Sequence, residues 1–395
     1  MALGALVGAY QEDQSGALRG LYPLAGRTLV EYQVRCAAAA GAAPILLLVE
    51  RIPPALNDAL DRLEREGLAV TTVSDGEEAA SRFGSGEMVL VIGDGIAPPV
   101  ELLVTIAEEA DPVIVTVPDD PSHQQFERID GVSRWAGVAL VDAQTVGATA
   151  AMLGDWDLQS TLLRRTLQDG ALTVPVSPEG GEPVLANAPE ELAALDRQLI
   201  VSSRGSRRDW ASRYVLPIVE EYATESLLNT NLKPARLIDA GVLLALGAVL
   251  AFSMGWLWVG LGLLVLSTPL DLVARRLATL RLRPLSPRST MRRLLWPVAG
   301  LALLALGWWL SREGAGWGAL YAALVAAAFA EAARIERGKT ELPGQVWLFS
   351  RRNAILGSVP FAVFGAWTAA IVALSFYAAA SFFFVQFVKH RIRPS

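Results

Sequence analysis

The sequence predicts an α/β domain followed by an all-α domain of six membrane spans. Three observations carry that reading. Before about Ile200, short apolar runs alternate with amphipathic stretches and Gly/Pro punctuation, the rhythm of strands alternating with helices. From Leu237 onward, long apolar segments are separated by arginine-rich loops. The net charge of −6 averages two unlike parts, because the acids concentrate in the first half and the second half is basic. At 395 residues the chain has room for two domains. We place them at 1–200 and 233–395, joined over 201–232 by a linker and an interfacial amphipathic helix.

Leu6-Val7 opens the first strand. Thr28 to Ala40 reads as an amphipathic helix and Pro44 to Val49 as a buried strand. Helix Pro53–Glu66 leads to strand Leu68–Val73, and helix Gly76–Phe83 leads to strand Met88–Ile92, which ends in Gly93-Asp94. A helix over Val100–Ala110 and a strand over Pro112–Val117 follow. This spacing means a mostly parallel sheet with helices on both faces. Ligands of such sheets sit beyond the carboxyl ends of the strands, where Asp94 stands. Asp94 is then either placed beside a ligand or a solvated strand-end or helix-capping residue. Cys36 is the single cysteine, which excludes an intramolecular disulfide and fits a reducing compartment. Gln11-Glu12-Asp13 breaks the first apolar run and no charged segment precedes it, so no cleavable signal peptide is expected.

From Asp209 to Leu228, Trp210, Tyr214 and Ile218 recur at helical spacing, as in a helix lying in the membrane interface, with Pro217 placing a kink. A hydrocarbon core of about 30 Å needs about 20 apolar residues of helix. The expected spans are Leu237–Phe252, Trp256–Leu272, Leu294–Leu310, Trp317–Ala333, Ile355–Ala366 and Trp367–Val388, the last two divided by a turn at Gly365-Ala366-Trp367. Lys233 and Arg236 precede the first span. Arg275, Arg276, Arg281, Arg283, Arg288, Arg292 and Arg293 follow the second, and Arg334, Arg337, Lys339, Arg351 and Arg352 follow the fourth. Lys389, Arg391 and Arg393 follow the sixth. The positive-inside rule then puts every basic loop, both termini and the α/β domain on the cytoplasmic side of the plasma (inner) membrane. These arginines serve topology and attract anionic lipid headgroups at about 1 kcal/mol each. The same guanidinium forks also match phosphate oxygens, and the two roles are compatible.

The stretch Leu18-Arg19-Gly-Leu-Tyr-Pro23-Leu-Ala-Gly26-Arg27-Thr-Leu29-Val-Glu31 resembles the P-K-x-L-x-P-x-x-G-x-x-L-x-E signature of the sugar-phosphate nucleotidyltransferases. Val91-Ile-Gly93-Asp94 is similar to the strand that presents that family's first metal-binding aspartate. Trp135 to Asp142 is similar to a later strand of the family, and Ala186-Asn187-Ala-Pro-Glu-Glu-Leu192 to its closing V-D-T-P-E-D-L. The resemblance implies a Rossmann-like, GT-A-like fold, with Asp94 as a metal ligand and Arg19 as a substrate-binding cation. Three departures stand beside it. The family's G-x-G-x-R phosphate loop reads Tyr10-Gln11-Glu12-Asp13-Gln14 here, Arg19 takes the place of the lysine, and Asn187 takes that of the second aspartate.

In the membrane half, Thr268-Pro-Leu-Asp271-Leu-Val-Ala-Arg275-Arg276 resembles the start of the CDP-alcohol phosphotransferase motif D-x-x-D-G-x-x-A-R-x8-G-x3-D-x3-D. Asp271 matches the second aspartate and Arg276 the arginine. The first aspartate becomes Thr268, the following glycine Leu272, the later glycine Leu285, and the last two aspartates Ser289 and Arg293. The family's dimetal chemistry rests on those carboxylates. The resemblance therefore implies Asp271 as the residual catalytic and metal-binding group, Arg275 and Arg276 as substrate-binding cations, and Mg²⁺ or Mn²⁺ if the protein is active.

The pairing of the two resemblances is that of the bifunctional inositol-1-phosphate cytidylyltransferase and di-inositol-phosphate phosphate synthases. Two functional readings follow. In one, the chain is a degenerate homologue acting as a binding or regulatory partner in phospholipid-headgroup synthesis, as a homodimer or with an active paralogue. In the other it is an active transferase that moves a phosphoalcohol from a CDP-activated donor. Membrane lipid, CDP-alcohol and CTP are the expected partners, and nucleic acid is not. His123 and His390 are the only histidines, which excludes a His-rich metal site and a Ser/His/Asp triad, and no Walker loop is present. A transporter would need charge at midspan, and only Asp239 and Glu331, at helix ends, come near.

Overall fold

The structure, a computed structural model, describes residues 2–152, 157–176, 181–205, 207–228, 230, 232–282, 290–338 and 344–392. Contacts divide the chain into two units. The first is Met1–Ser202 with Leu280–Arg283, and the second is Ser203–Thr279 with Pro284–Ser395.

The first unit is built on one seven-stranded sheet. Its strands are β1 (Leu3–Gly8), β2 (Ile45–Leu48), β3 (Val70–Val73), β4 (Met88–Ile92), β5 (Val113–Pro118), β6 (Ser133–Asp142) and β7 (Leu172–Pro175), in the order β7-β5-β6-β4-β1-β2-β3. Every neighbouring pair is parallel except the two that β6 makes with β4 and β5. The sheet is thus mostly parallel, as the spacing implies, with one reversed strand. The central strands read Leu-Gly-Ala-Leu-Val-Gly, Ile-Leu-Leu-Leu and Met-Val-Leu-Val-Ile because both faces are covered and no position can be polar. Alternate side chains serve opposite layers. Ala5, Val7, Leu47, Leu90 and Ile92 enter one core, whereas Leu6, Leu46, Val89 and Val91 enter the other.

The helices of this unit are α1 (Leu29–Ala39), α2 (Pro54–Arg65), α3 (Gly76–Arg82), α4 (Val100–Ala107), α5 (Ala143–Ala150), α6 (Leu158–Gln168) and α7 (Ala193–Ser202). At the start of α1, Glu31 accepts a hydrogen bond from the Thr28 amide at 3.1 Å, closing a capping box. Burial pushes the Glu31 carboxyl up, but Arg62 at 2.9 Å and Arg35 at 3.3 Å outweigh it and hold the group below the usual carboxylate range. The last residue of the nucleotidyltransferase-like signature is therefore tied into the fold. Cys36, one turn on, is fully buried, and burial pushes its thiol up to about 12. We expect no alkylation by iodoacetamide at pH 8 in the folded protein and complete reaction in denaturant, followed by mass spectrometry.

The second unit begins with a single wide turn over Ala211–Val215, then α8 (Pro217–Leu228), with Pro217 at the break between them. The apolar helices follow as α9 (Pro234–Ser253), α10 (Leu257–Leu280), α11 (Thr290–Leu310), α12 (Trp317–Arg337), α13 (Arg351–Val363) and α14 (Trp367–Ile392). Among the described residues, five helices are long and apolar enough to cross a membrane, where the sequence predicts six. The exception is α13. Its 13 residues rise about 20 Å, short of a hydrocarbon core of about 30 Å. It is cut short at the expected turn, where Gly365 adopts a φ of +68°, and its first two residues are arginines held in an ion-pair network.

A second difference concerns α10. The sequence ends this span at Leu272, but the helix continues to Leu280 and carries Asp271, Arg275 and Arg276 within it. Pro269 lies inside the helix and cannot donate to the Val265 carbonyl. The Thr268 hydroxyl donates to that carbonyl instead, at 2.7 Å. Thr268 thus repairs the backbone of a proline-containing helix. Arg283, Leu285, Arg288, Ser289, Lys339 and Arg393 lie outside the described residues.

Candidate functional site

In the α/β unit, the chain leaving β1 and the chain leaving β4 meet at the carboxyl edge of the sheet. The Asp94 Oδ2 atom accepts from the Tyr10 amide at 2.6 Å and the Gln11 amide at 2.8 Å. The sequence resemblance would expect a phosphate-cradling loop at these residues. Here their amides bind the protein's own carboxylate. The Gln11 side chain then accepts from Arg19 Nη1 at 2.8 Å, so Arg19 fastens the loop in that position. The Tyr10 hydroxyl donates to Asp157 at 2.6 Å, and burial followed by this carboxylate raises its pKa.

Space is filled as well as hydrogen bonds. Gln159 accepts from the Asp94 amide at 3.2 Å and donates to the Ile92 carbonyl at 3.4 Å. A Cβ on Gly8 would lie 2.4 Å from Gln159 Nε2, so this glycine accommodates a glutamine rather than a ligand. Asn187 follows Ala186, whose amide bonds the Gly95 carbonyl at 2.8 Å. Its own side chain reaches Gln125 at 3.4 Å and its carbonyl accepts from Tyr22.

Asp94 Oδ1 is buried without a hydrogen-bond partner among the described residues. Burial pushes the carboxyl above its ordinary range, against the opposing pull of the Gln11 and Tyr10 amides and Arg19. The residues here do not fit a divalent metal. One of the two Asp94 oxygens is committed to amides, and the described residues contain no group of three or more His, Cys, Asp or Glu side chains able to hold an ion.

In the membrane unit, Asp271 is clasped from three sides. Its Oδ1 receives Arg351 at 2.9 Å, and its Oδ2 receives Arg352 at 2.5 Å and Arg275 at 3.4 Å. Arg352 also pairs with Asp209 at 2.7 Å and donates to the Thr268 carbonyl at 3.3 Å. Asp209 in turn accepts from the Ser212 amide at 2.8 Å, fixing the first turn after the linker. Two aspartates and two arginines thereby form a buried, charge-balanced network, with Arg275 half-exposed at its edge. Cations occupy every charged neighbour position of Asp271, so this donor set does not fit a divalent metal either.

The expected site residues therefore separate. Asp271 and Arg275 share one cluster. Arg276, five residues from Asp271 and about 140° around the helix, faces Glu220 at 3.6 Å and Ser203 at 3.3 Å. Asp94 and Arg19 form their own cluster in the first unit. Arg351, Arg352 and Asp209 enter the sequence reading only as loop charge and helix start, and Gln159 and Asp157 not at all. Their signal is pairwise and long-range, which a single sequence does not display.

No protein-family model matches the chain, and no curated protein matches it. Among solved structures, one described as a glucose-1-phosphate thymidylyltransferase from Bacillus anthracis in complex with sucrose is similar over the N-terminal half. The identity is 12% and the TM-score 0.39, with 50% of this chain and 95% of that chain covered.

Proposed function

We propose that this chain is a catalytically silent relative of the bifunctional cytidylyltransferase/CDP-alcohol phosphotransferase proteins. It acts as a binding or regulatory partner in phospholipid-headgroup synthesis of the inositol-phosphate type. The observation that carries this reading is the pair of hydrogen bonds from the Tyr10 and Gln11 amides to Asp94. A phosphate-binding loop works through free amides, and these are engaged. The second cluster supports the same reading, since Asp271 is neutralised by guanidinium groups where a dimetal site would need carboxylates. In this reading Asp94, Asp271, Arg19, Arg275 and Arg276 hold the fold rather than a substrate. A homodimer, or a heterodimer with an active paralogue, would present the retained surfaces. The basic segments favour both termini on the cytoplasmic side, with α13 pairing with α14 as a short sixth crossing.

Calorimetry on the detergent-solubilised full chain tests this, with CTP and CDP-activated alcohols titrated with and without Mg²⁺ or Mn²⁺. The expected result is no metal-dependent heat. Metal-dependent binding in the micromolar range would overturn the proposal and favour the active transferase, because a working site must recruit its metal together with the diphosphate.

A further inference from the structure

The second unit contains a cavity of about 770 Å³ among its apolar helices, within the range of roughly 300–1,000 Å³ found for small-molecule sites. Its charged lining is gathered at one end. Arg293 lies near the start of α11, Glu331 and Arg334 near the end of α12, and Arg351 at the start of α13. Ring contacts tie these ends together. The Arg334 guanidinium sits over the Trp296 ring at 5.9 Å, and Trp296 meets Phe349, just before α13, at 6.3 Å. From there the lining turns apolar and runs along α11 from Arg293 to Leu306, a rise of roughly 20 Å. It ends beside Phe252 and Trp367.

Charge is unbalanced at the polar end of the cavity. Arg334 pairs with Glu331, and Arg351 pairs with Asp271 behind the wall. Arg293 has neither an ion pair nor a hydrogen bond among the described residues, and no second carboxylate lines the cavity. A neutral hydrocarbon would fill the apolar length and offer nothing to the exposed Arg293 guanidinium at its mouth. A small inorganic anion would satisfy the cation and leave the apolar length empty. An amphiphile meets both requirements. A guanidinium fork suits a phosphate monoester or diester best, through paired N–H···O bonds. The apolar run of roughly 20 Å accommodates an acyl chain within a hydrocarbon core of about 30 Å.

We propose that this cavity holds an anionic phospholipid, with its phosphate at the Arg293 end and its acyl chain along α11. The proposal goes beyond the functional reading above and stands whether or not either nucleotide site works. Binding here needs neither metal nor CTP, so it can fail while the calorimetric result holds, and the reverse.

The test is native mass spectrometry of the detergent-solubilised full chain. The probes are dioleoylphosphatidic acid, dioleoylphosphatidylcholine, dioleoylglycerol and glycerol 3-phosphate. Phosphatidic acid is expected to be retained about tenfold more strongly than the other three. Gly300→Phe places a ring in the cavity wall at a helical position where an added Cβ meets nothing within 4 Å. It should lower phosphatidic acid retention about tenfold while leaving the melting temperature near wild type. Arg293→Gln removes only the exposed cation, so it should cost several-fold in phosphatidic acid retention and nothing for dioleoylglycerol. It keeps the test decisive if Gly300→Phe misfolds. Equal retention of phosphatidic acid and phosphatidylcholine would overturn the proposal. So would glycerol 3-phosphate binding as well as the lipid, or an unchanged phosphatidic acid signal in both variants.

Discussion

Asp271→Ala is expected to destabilise the membrane unit by about 3–5 kcal/mol, the cost of breaking one side of a buried ion network. The loss falls unevenly. Without Asp271, Arg352 keeps Asp209 at 2.7 Å, whereas Arg351 keeps only long contacts of 3.4 and 3.5 Å to Ser267. The uncompensated charge is therefore that of Arg351, whose side chain is 9% exposed. Removing both partners should recover part of the loss, since an apolar group of similar volume leaves no buried charge behind. The double variant Asp271→Ala with Arg351→Met is accordingly expected to melt above Asp271→Ala alone, and a double-mutant cycle reads the coupling. Thermal unfolding in detergent measures it. A carboxylate kept only for catalysis behaves oppositely, because its removal relieves a crowded site and leaves the melting temperature unchanged or raised. An Asp271→Ala protein that melts with wild type would reject the structural role and return Asp271 to the list of catalytic candidates.

The two clusters also mark where the sequence stops being readable. β2 and β4 are continuous apolar runs, and α1 begins at Thr28 with a glutamate three residues on; these are local signals carried by neighbouring residues. Asp94 at a strand end and Asp271 on a membrane helix are likewise legible as charges in unusual places. Their partners are not. Tyr10 and Asp94 are 84 residues apart, and Asp271 and Arg351 are 80 apart. Arg351-Arg352 reads in sequence as loop charge, and only the packing of α13 against α10 converts it into a pair of counter-ions. Strand direction is similarly silent, since Ser133–Asp142 has the same composition whether it runs with its neighbours or against them. The extent of α10 is also hidden, because Asp271, Arg275 and Arg276 read in sequence as the charged end of a span closing at Leu272, whereas the helix carries them on to Leu280.

Asp94→Ala and Asp94→Asn should diverge, and their divergence with pH identifies what Asp94 does. Alanine removes the acceptor of two part-buried amides, an expected loss of about 2–4 kcal/mol. Asparagine keeps an oxygen for both amides and discards the buried charge. The sign of the pH effect follows from the raised carboxyl. In the wild type the protonated form is favoured in the fold, so its contribution to stability is fully present below the unfolded pKa of about 3.9. That contribution is lost as pH rises through the folded value. The carboxamide of the Asp94→Asn variant does not titrate. Asp94→Asn should therefore match wild type near pH 4 and exceed it increasingly as pH rises, levelling once Asp94 is ionised in both states. Chemical denaturation of the full chain at pH 4 and pH 7 measures the difference. The opposite slope, with wild type gaining on Asp94→Asn as pH rises, would mean that the ionised carboxylate is the stabilised form. Oδ1 would then have a cation or donor partner in solution, and the site would be poised to bind rather than closed on itself. Repeating the pH 7 measurement with Mg²⁺ separates those causes, because a metal on Oδ1 stabilises wild type in proportion to its concentration and leaves Asp94→Asn unmoved.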